Sequence, residues 1–399
     1  MRILSITAQK PDSTGSGVFL TELVKGFQSL GCHQAVICGI AAGETVSFPE
    51  GIALFPVQYQ TKELPFPVCG MSDEMPYEST RYRDLDEVMT NQLFAAFREK
   101  ITEAVENFRP DVMLCHHMYF SASLVRQLYP EIPIYAQCHG SDLRQLETNQ
   151  WQRQWIVEQI AKLDGIFALH EAQKEQICRI FKLPPHRVRV VGTGYNSKVF
   201  YQDENCLRNP EKIRYLFAGK LSEKKGVYSL LGCLKHLKNP ELAELYLAGG
   251  CGSEEELKKL HGASENSPCP VTFLGKLDQA SLAAQMNRCD VFVLPSFYEG
   301  LPLVLIEAMA CGMKTVCTDL PGIKPWITQA LPDSGAVFVA PPMLRGADEP
   351  VPEELPAFER RLAAAMETAA LSDIPDQEQV RQLSWEALCR KLLSIFEKR

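Results

Sequence analysis

No apolar run in these 399 residues reaches membrane-spanning length, and no signal-peptide pattern precedes the first strand-like stretch, ILSIT. The cytoplasm is therefore the expected location. Positive charge is sparse: the net charge is −8, with Lys and Arg scattered, which leaves no footprint for nucleic acid. None of the 14 cysteines forms a Cys-x-x-Cys pair, so neither a zinc knuckle nor a dithiol redox motif is offered. They read instead as reduced thiols used as small apolar residues. No metal site is expected; His116 and His117 are adjacent at a strand end, where neighbouring side chains point to opposite faces. A dinucleotide fingerprint would need a glycine at position 20, which is Leu20, and no Gly-Lys-Ser/Thr loop occurs. Short-period repeats and low-complexity tracts are also missing.

What is present is a soluble-type balance, 46% apolar and 23% charged, in a chain long enough for two domains. Strand-like runs alternate with helical stretches almost throughout. The runs cover residues 3–7, 35–40, 112–116, 134–138, 166–169 and 188–191, then 213–218, 244–248, 271–274, 291–294, 315–318 and 336–339. Strands apolar on both faces and separated by helices argue for parallel sheets covered on both sides. The expected fold is α/β, with two doubly wound Rossmann-like domains facing across a cleft. The expected boundaries are 1–195 for the first domain, 196–212 for a linker and 213–383 for the second. An amphipathic helix over about 384–399 is expected to pack back on the first domain. The aperiodic segment 63–85, rich in Pro, Met and aromatics, is either an acceptor-side lid or a plain surface excursion.

The most informative stretch is 292–319, FVLPSFYEGLPLVLIEAMACGMKTVCTD, read as strand, turn, helix and strand. Glu299 lies in the loop before the helix. Gly300 lets backbone approach a ligand, and Pro302 suits a first helical turn. The free N–H groups and positive dipole end near Leu301, Pro302 and Leu303 form an anion site. Glu307 sits among apolar neighbours, so it needs partners, a ligand's hydroxyl pair or an ordinary backbone or Arg contact. Near the start, Gly15 and Gly17 stand where a strand-to-helix turn brings N–H groups to an anion, or where a turn simply needs glycine. FAGKLSEKKG places Gly219, Lys220 and Lys225 after a buried strand, where cations can neutralise a pyrophosphate. CHGSDL places His139 and Asp142 at the mouth of the first sheet, His139 either facing a ligand or capping a loop. Tyr195 and Asn196 close the first series and, with Asp142, are expected on the acceptor side of the cleft; the glycines of LAGGCG and FLGKL end two further strands.

These motifs, in this order, resemble family 4 of the retaining nucleotide-sugar glycosyltransferases, which have the two-Rossmann-domain GT-B fold. The resemblance rests on GSG at 15–17, HGSD at 139–142, GKLSEKKG at 219–226, and Glu299 with Glu307 inside PSFYEGLPLVLIEAMACG. TDLPG at 318–322 and SWE at 384–386 complete it, so that nearly the whole chain is covered. It implies that Lys220 and Lys225 clamp the donor diphosphate, that Glu299 touches sugar hydroxyls and that Glu307 takes the ribose hydroxyls. Gly17 and the amides of Leu301 to Leu303 would approach phosphate or sugar, and His139 the transferred sugar. The base would lie near Lys276 and Leu277. Three positions depart from the family pattern. Lys220 replaces an arginine, losing bidentate phosphate contact; Ile323, Lys324 and Pro325 replace a stretch with an acid; His170 replaces a serine.

The implied activity, part of carbohydrate biosynthesis, is metal-independent, retaining transfer from a UDP-hexose or UDP-N-acetylhexosamine, with no cofactor beyond that donor. The acceptor is a small molecule, a saccharide or a lipid-linked compound; the last would bring peripheral membrane association. Asp142 is the one candidate nucleophile near His139, and front-face attack is the expected route. The competing readings are a nucleotide-sugar epimerase or phosphorylase of the same fold, and a sugar-nucleotide-binding protein with weak catalysis.

Overall fold

The computed structural model describes every residue except Asp12, Glu74, Ala347, Asp348 and Arg399. The chain divides into two compact units, Met1–Thr193 with Trp385–Arg399, and Gly194–Ser384. In the first, strands β1 (Arg2–Ile6), β2 (His33–Ala41), β3 (Ala53–Tyr59), β4 (Val112–His116), β5 (Ile134–Gln137), β6 (Gly165–Ala168) and β7 (Val188–Val190) form one sheet. Its order is β3-β2-β1-β4-β5-β6-β7, and every pairing is parallel. The second unit repeats the plan with β8 (Ile213–Ala218), β9 (Ala243–Ala248), β10 (Val271–Gly275), β11 (Val291–Leu294), β12 (Lys314–Thr318) and β13 (Val337–Val339), ordered β10-β9-β8-β11-β12-β13. The expected α/β class with two Rossmann-like domains is thus what the structure shows. Strand order reverses between β1 and β4 and between β8 and β11, the switch points where open α/β sheets bind ligands.

Four elements position the candidate residues. Helix α1 (Gly15–Ser29) follows β1 and starts earlier than apolar periodicity alone suggests, because the Thr14 hydroxyl caps the Gly17 N–H at 3.2 Å. Helix α2 (Ser141–Thr148) follows β5, helix α3 (Glu171–Phe181) follows β6, and helix α4 (Leu303–Ala310) follows β11. The edge strand β3 breaks the apolar pattern with Pro56, tolerated there because an edge strand leaves one side unpaired.

Segment 63–85 is not a lid. Leu64, Phe66, Val68, Cys69, Met71, Tyr82 and Leu85 belong to the first unit's core, and Cys69–Gly70 pairs with Thr80–Arg81. Residues 196–212 are not a linker either, since they pack on the second unit. Asn287 accepts from the Asp203 N–H at 2.8 Å, and the Arg208 guanidinium donates to the carbonyls of Gly312 and Cys311 at 2.9 and 3.0 Å. Tyr195 likewise falls in the second unit, with its N–H on Leu383 O. The closing helix α5 (Trp385–Glu397) lies on α1, where Cys389 donates to Leu23 O, and Phe396 meets Tyr135 at 4.9 Å. Among the described residues no helix is long and apolar enough to cross a membrane.

Candidate functional site

In the second unit, the loops leaving neighbouring strands bring together residues far apart in sequence. Strands β8 and β11 are adjacent, so GKLSEKKG meets PSFYEG: the Phe297 N–H donates to Lys224 O at 3.0 Å. Gly226 has φ +70, and a Cβ there would overlap the Pro295 carbonyl, so only glycine lets the two loops touch. The result is a contact across 74 positions, Lys225 Nζ donating to Glu299 Oε1 at 2.6 Å. Glu299 is largely shielded, at 13% side-chain exposure, while Lys225 keeps 31% and two further N–H donors for a ligand.

On the other side of β8, the ends of β8, β9 and β10 converge. Gly249 N–H donates to Gly275 O at 2.8 Å, Gly219 N–H to Ala248 O at 2.9 Å, and Leu221 N–H to Gly250 O at 2.9 Å. Gly249 has φ +152, and a Cβ there would overlap the Gly219 carbonyl oxygen. Lys220 and Lys276 are both exposed and flank this glycine loop: a Cβ at Gly252 would lie 3.8 Å from Lys220 Nζ, and Gly250 touches the Lys276 stem. Leu277 is partly exposed beside Lys276.

Helix α4 begins with Pro302 as its N-cap, one position before the expected first-turn place, and no side chain caps it. Its first N–H groups are not taken up by a cap, which suits an anion. Gly300 is partly exposed; Leu301 and Pro302 are buried, and Leu303 is not. Glu307 is half-buried rather than buried. Leu303, Val304 and Glu307 share the outward stripe of this short helix, while Leu305, Ile306, Ala308, Met309 and Ala310 take the core side. Helix formation after Gly322 proceeds despite Lys324 and Pro325, with no acid in its first turn; Asp319, before the helix, lies 3.6 Å from Lys324 Nζ.

The mouth of the first unit is built differently. Asp142 is fully buried, and its carboxylate accepts from the N–H groups of Met118, His139, Gly140 and Leu143 at 2.8 to 3.3 Å, and from Cys138 Sγ. It fixes the β5–α2 turn; with its oxygens occupied it is poorly placed as a nucleophile. His117 has φ +76, which breaks strand alternation and turns its ring toward the side His116 already faces. Both rings therefore meet His139, at 5.8 Å for His116, stacked, and 4.8 Å for His117; the opposite-face argument fails here. Among the described residues, no group of His, Cys, Asp or Glu is arranged to hold a metal ion. Burial, reinforced by the neighbouring imidazoles, holds His139 well below the usual histidine range, and burial with His117 brings His116 down to about 3. Burial also lowers His117 despite Asp142 Oδ2 at 4.0 Å. All three are neutral at pH 7.

Other expected residues take local roles. Gly15 is exposed with open space around its Cβ position, so nothing within the protein demands glycine there. Asn196 accepts from the Lys198 N–H at 3.1 Å, a turn contact, and Tyr195 is buried, which pushes its hydroxyl up to about 12. His170 caps α3, its Nδ1 accepting from the Gln173 N–H at 3.2 Å. Sequence reasoning passed over Gln9, whose Oε1 accepts from Ser16 Oγ at 3.3 Å and lies 3.0 Å from His117 Nε2. Its signal was its place: the second residue after the β1 stretch expected over 3–7, opening the glycine loop.

Two family models match the chain: one described as Glycosyltransferase Family 4 over residues 13–199, and one as Glycosyl transferases group 1 over residues 212–343. An uncharacterized glycosyltransferase of Methanocaldococcus jannaschii, MJ1607, is 27% identical over 192 residues, 42% of this chain and 48% of that one. The MMP alpha-(1->4)-mannosyltransferase of Mycolicibacterium hassiacum is 25% identical over 425 aligned positions, covering 100% of this chain and 98% of its own. Over the curated relatives matched first, the chain spans about half to two thirds of their length. Among solved structures, Anabaena Alr3699/HepE in complex with UDP and glucose superposes over 100% of both chains, with a TM-score of 0.66 at 15% identity, a likeness of fold.

Proposed function

Because the chain belongs to the group 1 glycosyltransferases of family 4, we propose that it transfers a hexosyl unit from a nucleoside-diphosphate sugar to an acceptor hydroxyl, with retention and without a metal ion. The observation that carries this reading is the Lys225–Glu299 pair, set between a glycine-lined loop and the uncapped start of α4. When the anomeric C–O bond to phosphate breaks, negative charge grows on the leaving diphosphate. Lys225, Lys220 and the α4 amides offset that charge, the task a divalent cation performs elsewhere. Glu299 orients Lys225 and holds sugar hydroxyls; Glu307 takes the ribose; the base lies along Lys276 and Leu277.

Attack comes from the face the diphosphate leaves. The acceptor oxygen bonds to the anomeric carbon, and its proton passes to a diphosphate oxygen. The occupied oxygens of Asp142 favour this route over a covalent sugar on that residue. His139, held neutral, can donate or accept a hydrogen bond to a sugar hydroxyl without adding charge. UDP is the proposed nucleotide: the similar Anabaena structures hold UDP or UDP-glucose. The test is incubation with UDP-glucose labelled in the sugar. Label appearing in a second molecule supports transfer. Label confined to an isomerised donor would replace it with epimerisation, and no turnover despite a UDP-induced rise in melting temperature would leave a binding protein.

A further inference from the structure

At the mouth of the first sheet, several buried polar atoms have no hydrogen-bond partner among the described residues. They are Gln9 Nε2, both ring nitrogens of His116, His117 Nδ1, His139 Nε2 and Gln137 Oε1. Gln9, His116, His117 and Gln137 are each at most 3% exposed. Gln9 meets His117 at 3.0 Å, His139 meets both other imidazoles, and Gln137 is the register partner of His116 on the neighbouring strand. The patch reaches the surface through Ser16, His139 and Gly140, each partly exposed. Buried groups left unpaired are costly, and a native fold seldom keeps several together unless something else completes them.

The chemistry of the set selects what completes it. Gln9 Nε2 can only donate and Gln137 Oε1 can only accept, while each neutral imidazole has one nitrogen of each kind. A phosphate or carboxylate would satisfy the donors and strand the acceptors. An ammonium group would do the reverse. Groups that carry both a donor and an acceptor, hydroxyls and water among them, do both. Full charge is also withheld here: Asp142 is saturated by backbone N–H groups, and Lys10, the cation following Gln9, is held by Glu44 at 2.5 Å and lies over the Tyr77 ring.

We propose that Gln9, His116 and His117 bind the hydroxyls of an uncharged sugar or polyol that serves as the acceptor, in a patch that takes hydroxyls rather than a phosphate. This rests on the glycosyl-transfer reading, which assigns the donor to the second unit. The test is saturation-transfer NMR on the full chain with D-glucose, D-mannose, D-galactose and myo-inositol, and separately with glucose 6-phosphate and mannose 6-phosphate. UDP binding by calorimetry monitors the donor half independently. Contact is expected from at least one uncharged polyol in the wild type. It should fall at least fivefold in Gln9→Leu and in His116→Phe, which keeps the ring stack, while both variants still bind UDP. Stronger contact from a phosphorylated sugar, unchanged polyol contact in both variants, or none from any of the four polyols would overturn the proposal. So would loss of UDP-glucose affinity beyond that of UDP in the variants, which would assign the patch to the transferred sugar. Absence of UDP binding in the wild type would sink the donor reading instead, leaving the polyol result to stand by itself.

Discussion

The two sheet mouths share a topology and differ in almost everything a ligand would feel. The second unit presents cations, the exposed Lys220 and Lys276 and the half-buried Lys225 paired with Glu299, around glycines such as Gly226 and Gly249 that cannot carry a side chain. The first presents buried, neutral amides and imidazoles around a carboxylate already consumed by backbone. Cations of this kind suit a diphosphate, whose own charge attracts them. Buried dipoles suit hydroxyls, which need fixed directions and little net charge. The lesson is that strand order fixes where a site lies, while the residues just past the strand ends fix what kind of ligand it fits.

The contrast can be broken at several points. The largest effect is expected from Gly249→Ala, which forces a Cβ onto the Gly219 carbonyl at φ +152 and should cost about 3 kcal/mol of stability, measured by urea unfolding. Gly15→Ala, in open space at the start of α1, should leave stability unchanged or raise it by about 0.5 kcal/mol. If transfer nevertheless falls in that variant, a ligand approaches Gly15 closely.

Next come Lys225→Ala and Glu299→Ala, each lowering turnover at least ~100-fold through loss of positioned charge. Near-normal rates in both would show that the pair is a loop clasp and no more. Asp142→Asn replaces an all-acceptor carboxylate with an amide that must turn a donor toward backbone N–H groups. It should lower stability by about 2 kcal/mol, read as a drop in melting temperature, and mass spectrometry should find no sugar on Asp142 in the wild type.

A smaller, pH-dependent effect separates the two mouths. His116 titrates near 3 in the folded chain and near 6.5 when unfolded, so between those values the unfolded state holds the extra proton. Its contribution is fully present above about pH 6.5 and falls as the pH drops toward 3, by about 1.4 kcal/mol per pH unit. His117 and His139 shift in the same direction and steepen the loss. Melting temperatures from pH 5 to 8 should show it, and His116→Phe should flatten it. The smallest expected change is none: turnover should persist in excess chelator, and strict dependence on added magnesium or manganese would overturn the assignment of charge neutralisation to the lysines.

Much of the fold could be read before the structure. Strands such as 112–116, 213–218 and 291–294 coincide with the observed elements because strands buried on both faces write themselves as continuous apolar runs. The errors cluster where context overrides local pattern. Segment 63–85 looked loose because its anchoring residues, from Leu64 to Leu85, are spaced for an irregular packing rather than a period. Glu307 looked buried because its neighbours are apolar, yet the face it occupies on a two-turn helix is the outer one. Gln9 and His116 drew little attention because a lone amide or a strand histidine has no motif of its own.

Composition and alternation thus sufficed for two parallel sheets with their chemistry at the carboxyl ends, since each strand's burial is encoded within a few residues of itself. Only the folded arrangement decided that Lys225 would meet Glu299, that Asp142 would spend its charge on backbone, and that three imidazoles would gather with ring nitrogens left over. Apart from the local turn contacts of Asp142, those partnerships span tens of positions along the chain, and strand adjacency, which no local pattern carries, is what brings them within a few ångströms.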